Sequence, residues 1–200
     1  MKFKRLLALV GLFCCSLCHG AMVSLNPLTI TAAAGGQFTV DVVVDGLSGG
    51  QLLGGFDLDV VFDPAVMAAH SVVFGSALGA DGIDQFSSSV LSAGRIDFAA
   101  VSLLDGLALS ALQFVPFTIA QLVFDALAPG ASAISFDLIT APGLLFSDEF
   151  GIALPVDAGA QADVRVTAGG VVYVPEPGTL ALVVLPLMAL ARRQRFQPQQ

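Results

Sequence analysis

The sequence predicts an all-β body folded as a single antiparallel β-sandwich of about nine strands. Three observations carry that reading. Apolar and polar residues alternate with a period of two over several short runs. The runs are divided by Gly-Gly, Asp-Pro, Asp-Gly and Pro-Gly pairs, and no stretch of the body keeps a helical period over three turns.

Taken in order, Val23 to Ile30 opens the body as a β-rich run. Phe38, Val40, Val42 and Val44 then fall on one side of an extended strand, with Thr39, Asp41, Val43 and Asp45 on the other. Phe56, Leu58, Val60 and Phe62 repeat the scheme against Asp57, Asp59, Val61 and Asp63. Strands that bury one face and wet the other belong to antiparallel sheets rather than helix-covered parallel ones. Asp63-Pro64 ends this run: Pro64 lacks a donor and pins the turn, and Asp63 can accept backbone N–H bonds within it. Further runs are Val66 to Phe74, Gln85 to Val90, Arg95 to Val101, Gln113 to Phe124, Ser132 to Ile139 and Ala162 to Thr167. Gly49-Gly50, Asp81-Gly82, Asp105-Gly106 and Pro129-Gly130 stand between runs as breakers. Leu103 to Leu112 reads as one short helical turn or a long loop.

Both ends differ from this body. Residues 1–20 carry Lys2, Lys4 and Arg5, then the apolar LLALVGLFCCSLC and small residues, the three-part pattern of a secretory signal peptide cut after Gly20. Cys14, Cys15 and Cys18 leave with it, so an exported body of residues 21–168 must be stable without disulfides. A linker, 169–174, leads to a tag at 175–196 and a polar tail at 197–200. The tag strings together Pro175-Glu176-Pro177, an apolar run Thr179 to Ala191 and the basic cluster Arg192, Arg193 and Arg195. As a helix at roughly 1.5 Å per residue the apolar run reaches about 20 Å, against a hydrocarbon core of about 30 Å. Pro186 weakens it further. Arginines after an apolar run hold that end in the cytoplasm and leave the body outside.

This tag resembles the PEP-CTERM sorting signal of Gram-negative bacteria. The resemblance implies recognition by an exosortase at the inner membrane, cleavage near the tripeptide, and release or attachment at the cell surface. The plainer alternative is an ordinary C-terminal tail anchor. A second resemblance lies in the body. GGFDLDVVFDPAVM, with the preceding GGQFTVDVVVDGL and the later FTIAQLVFDALAPGASAISF, is similar to cohesin domains. It implies a nine-stranded jelly-roll sandwich with an extracellular binding role, since cohesins hold dockerin modules in cellulosomes. No dockerin-contacting residue can be matched, and carbohydrate-binding modules share the fold, so the resemblance leaves the partner open.

Charge narrows the function. The body holds only Arg95 and Arg165 against fifteen of the sixteen acids, about −13, and no lysine, so nucleic acid is excluded as a partner. Catalytic material is scarce: His70 is the body's one histidine, with a strand-end or surface role expected, and no Gly-x-Ser-x-Gly elbow supports a Ser-His-Asp triad around it. The reading is therefore a non-catalytic protein with no catalytic or cofactor-binding residues. Asp57 and Asp59 share one strand face about 7 Å apart, Asp41 and Asp45 share a face of another strand, and together they would favour calcium if the two strands were neighbours. The other aspartates occupy outward positions or turns, as solubility alone demands. A sugar platform is missing: there is no Trp, Tyr173 is the one tyrosine, and most of the fifteen Phe sit in apolar alternation, with Phe86, Phe117 and Phe150 less certain. The expectation is an exported adhesion module that binds an extracellular protein through a sheet face or edge. The alternatives are a carbohydrate-binding module on exopolysaccharide and a structural coat component without a specific ligand.

Overall fold

A computed structural model of the protein describes residues 21–169 apart from 48, 115 and 140–142. Residues 1–20 and those from 170 onward, with Pro175, Glu176, Pro177, Arg192, Arg193 and Arg195, lie outside the described residues. Among the described residues no helix is long and apolar enough to cross a membrane.

Among the described residues thirteen strands form: β1 Ala21–Asn26, β2 Thr29–Ala33, β3 Gln37–Asp45, β4 Gly55–Val61, β5 Met67–Phe74, β6 Gln85–Ser92, β7 Arg95–Ser102, β8 Phe117–Ala126, β9 Gly130–Phe136, β10 Leu144–Ser147, β11 Ala153–Leu154, β12 Val156–Ala158 and β13 Ala162–Thr167. One sheet runs β12-β1-β3-β8-β5; the other runs β11-β10-β4-β9-β13-β2. In the second sheet β7 lies along one side of β4, while β10 and β9 share the other, and β6 extends the sheet beyond β7.

The sandwich forms because alternate side chains of both sheets meet in one core. Val40, Val42 and Val44 of the first sheet and Phe56, Leu58 and Val60 of the second are all buried, as their alternation demands. Phe62 meets Phe124 edge-on at 5.3 Å, and Phe56 lies 6.4 Å from Phe74, so aromatic pairs join the sheets. Each such buried side chain contributes about 1.5–3 kcal/mol. Asp63 shapes the β4–β5 turn as its chemistry requires: its Oδ1 accepts from Ala65 N–H at 2.8 Å.

The structure adds detail that the pattern did not show. Val23 to Ile30 is two strands in different sheets, because Pro27, in a cis peptide with Asn26, removes a ladder donor and β2 crosses to the other layer. Most pairs are antiparallel, but β1–β12 and β2–β13 are parallel. The run from Gln113 starts its strand only at Phe117, after Pro116. Gln113 instead clamps the Leu53 backbone, accepting its N–H at 2.8 Å and donating to its carbonyl at 2.7 Å. Residues 106–110 form a short helix, α1 Gly106–Ser110, whose Asp105 N-cap accepts from Ala108 N–H.

Candidate protein-recognition face

The outer face of β6, β7, β4 and β10 is assembled row by row from the strand registers, since directly opposed residues share a face. Phe86 of β6 stands opposite Val101 of β7, which stands opposite Gly55 of β4, which stands opposite Ser147 of β10. The next row is Ser88, Ala99, Asp57 and Leu145. Below it come Val90, Asp97 and Asp59, and then Ser92, Arg95 and Val61. Phe86 is 65 %, Val90 63 %, Val101 49 % and Leu145 47 % exposed. Phe86 and Val101 therefore stand side by side in water, while Val90 lies beside Asp97 and Leu145 beside Asp57 on the same face. Scattered exposed apolar residues are ordinary, but a contiguous group on a rigid face marks an interaction site.

Loops extend the patch at one end. Gly54 allows the 148–152 loop to touch β4: a Cβ there would meet the Asp148 carbonyl oxygen at 2.2 Å. Leu103 N–H donates to Asp84 O at 2.7 Å, and Ser102 Oγ to Leu78 O at 2.7 Å. These contacts tie together loops that carry the exposed Ile83, Leu103, Phe150 and Ile152.

The other end of the face is held by charge. Asp59 was expected on the wet face of its strand as a calcium candidate; it is 1 % exposed. Its position is outward from the core as the alternation says, yet the Arg95 guanidinium covers it. Arg95 Nε donates to Asp59 Oδ1 at 3.0 Å, its second nitrogen reaches Oδ2 at 2.6 Å, and its third donates to Asp137 Oδ2 at 2.8 Å. The Asp59 hydrogen bond, against the opposing effect of burial, is the first cause holding the Arg95 pKa above its ordinary value. Asp57, beside this group, has its pKa raised, first by burial and then by repulsion from Asp97 and Asp59. No donor hydrogen-bonds to the Asp57 or Asp97 carboxylate among the described residues.

The calcium expectation changes accordingly. Asp57 and Asp59 do share a face, but Asp59 already holds a guanidinium, and Asp41 and Asp45 lie on β3 in the other sheet rather than on a neighbouring strand. Among the described residues no three His, Cys, Asp or Glu side chains converge as a metal site. His70 sits exposed at the β5 bulge, with Nδ1 3.0 Å from Asp125 Oδ2 and 3.3 Å from the Gln37 amide. An aspartate thus orients the imidazole, but no hydroxyl is hydrogen-bonded to the ring among the described residues, and the geometry is that of a surface network. Phe86 and Phe150, the uncertain phenylalanines, are exposed, and Phe117 is half-buried. What sequence reading missed is the outward row of β6: FSSSVL shows no charge to mark a solvent face, and that lack was the available signal.

The family model for the cohesin domain matches residues 23–144. The chain belongs to the cohesin domain family. Solved cohesins share the fold. A type II cohesin domain from the cellulosome of Acetivibrio cellulolyticus superposes with a TM-score of 0.60 at 20 % identity, covering 73 % of this chain and 95 % of that one. The sixth cohesin of the same organism's scaffoldin B, solved in complex with a Cel5 dockerin, gives 0.57 at 17 % identity over 74 % of this chain and 100 % of that one. A non-cellulosomal cohesin from the archaeon Archaeoglobus fulgidus gives 0.56 at 13 %, over 75 % and 93 %. No curated protein sequence matches the chain.

Proposed function

We propose that this cohesin is an exported, non-catalytic protein-binding module whose recognition surface is the outer face of β6, β7, β4 and β10. The observation that carries the reading is the exposed apolar group Phe86, Val90, Val101 and Leu145 around Asp57 and Asp97. An apolar centre with acidic groups and a loop rim fits a protein partner that brings its own apolar anchors and basic residues. Dockerin modules are the first partners to test, because a solved relative binds one. The face has no flat Trp or Tyr for a sugar ring, so exopolysaccharide is the weaker reading.

The flanking segments supply the setting. The leader at 1–20 directs export. Pro175-Glu176-Pro177, the apolar run and the Arg192, Arg193 and Arg195 cluster act as a PEP-CTERM signal: the chain is tethered transiently in the inner membrane, cut by an exosortase, and delivered to the cell surface or extracellular matrix.

Two experiments test this. The wild-type chain, a Phe86→Ser/Val101→Ser variant and a Val73→Ser control on the other sheet are offered a panel of purified dockerins, envelope extracts and a glycan array. A partner lost only by the face variant supports the reading; retention of defined glycans with no protein captured overturns it. Replacing Pro175, Glu176 and Pro177 with alanine is expected to leave an uncleaved, membrane-held chain, and unchanged processing overturns the sorting claim.

A further inference from the structure

We infer that β6 is a self-association edge, on which a second copy of this chain lays its own β6 antiparallel across a two-fold axis. The inference begins from which backbone groups of β6 are free. Leu103 donates to the Asp84 carbonyl, and this pair continues the β6–β7 register. The even-numbered residues of β6 therefore aim their backbone groups at β7, and Ser87, Ser89 and Leu91 turn theirs to the unpaired side. Gln85 is closed by its own turn, donating to Ala80 O and accepting from Gly82 N–H.

Other sheet edges are blunted. β5 is bulged between Ala69 and Ser71, β2 has five residues, β12 three and β11 two. Edge β6 has eight residues, QFSSSVLS, without bulge, proline or charge. Such an edge is a template for another strand.

Charge names the occupant. An acidic body repels its own copies over most of its surface, but β6 carries no acid. Asp81 and Asp84 stand before its first residue, and the turn after its last residue, Ala93-Gly94, carries no acid. Antiparallel pairing sets Asp81 and Asp84 of one copy against the turn end of the other, where Asp63 is the acid beside Gly94, whereas parallel pairing would stack Asp81 and Asp84 on their own counterparts. With Ser89 on the axis, Ser87 of each copy meets Leu91 of the other, and the free groups join in about six hydrogen bonds. Phe86 then comes within diagonal reach of Val90 of the second copy. On the inward side, Leu91 borders a crevice of about 260 Å³ with Phe62, Pro64 and Met67, which the added strand roofs. Phe86 and Val90 border both surfaces, so a change at Ser89, which is outside the recognition face, is what lets the edge contact fail without face recognition.

The test is sedimentation of the purified full-length chain over a range of concentrations and salt. The expected result is a reversible dimer that strengthens as salt screens the acidic bodies. Ser89→Pro removes an outward N–H without touching the β7 ladder, so it is expected to weaken dimerisation roughly tenfold or more with the melting temperature unchanged. A second variant guards against misfolding: Ser89→Cys, with Cys14, Cys15 and Cys18 replaced by serine in both it and its parent, sits on the axis at about 5.5 Å from its mate, within disulfide reach, and is expected to give a covalent dimer on oxidation that the cysteine-free parent does not give. A wild-type chain monomeric at the highest concentration in high salt, a Ser89→Pro variant that dimerises as wild type does, or no covalent Ser89→Cys dimer overturns the inference.

Discussion

The two sheets of this sandwich show acids to water on both outer faces, and they treat them differently. On the first sheet Asp41 accepts from Gln121 Nε2 at 3.0 Å, and Asp125 accepts from Gln37 Nε2 at 2.8 Å while facing His70. Asp41 and Asp125 are thus matched by side-chain donors on the same face. On the second sheet Asp57 and Asp97 receive no hydrogen bond among the described residues, and exposed Phe, Val and Leu surround them. A face whose polar groups are matched internally is finished; a face with unmatched carboxylates among apolar side chains is complete only with something against it. The difference, rather than the number of acids, is what supports the proposed binding face on the second sheet.

The largest expected effect comes from the pair that anchors that side. Arg95→Met strands the buried Asp59 carboxylate and should lower the melting temperature by roughly 10 °C. The double variant Arg95→Met/Asp59→Leu should recover most of it, and scanning calorimetry of both checks the coupling. Next, Phe86→Ser should weaken partner binding roughly tenfold or more without a change in melting temperature, while Val73→Ser on the first sheet leaves binding untouched. Equal losses from the two would erase the contrast between the faces.

Asp57→Asn is a smaller effect of opposite sign. Because the folded protein holds the Asp57 pKa above 3.8, ionising it works against folding. The fold loses stability as pH rises from the unfolded value through the folded one. The asparagine variant should therefore be slightly more stable at neutral pH, with the advantage fading below the ordinary carboxylate pKa. A gain in stability with a loss of binding would identify Asp57 as kept for recognition. Smallest of all, His70→Asn should leave the melting temperature at neutral pH unchanged, since exposed pairs contribute little. Asp125 has its pKa lowered, first by the Gln37 hydrogen bond and then by His70. Its stabilising contribution is present above the unfolded pKa and disappears as pH falls through the folded one, so thermal melts in acid should show any change that neutral pH hides.

Legibility in the sequence followed the range of the interaction. The alternation of β3 and β4 told which side chains enter the core, and Asp63-Pro64 told where β4 ends, because both are settled within a few residues. The burial of Asp59 was not legible because the Arg95 that covers it lies 36 positions away; period two assigns a side of the strand, not what covers it. β10, β11 and β12 were missed because two to four residues cannot display a period. The recognition face was half legible: Asp57 was singled out, but the row from Phe86 to Leu145 exists only once four strands fall into register.

The position of β13 has a mechanical consequence. The last described strand is not at a sheet margin but is clamped between antiparallel β9 and parallel β2. Tension entering the domain after Thr167 therefore pulls along two ladders at once, loading their hydrogen bonds together in shear instead of peeling them singly. A domain hung by that end would resist extraction far better than one hung from an outer strand.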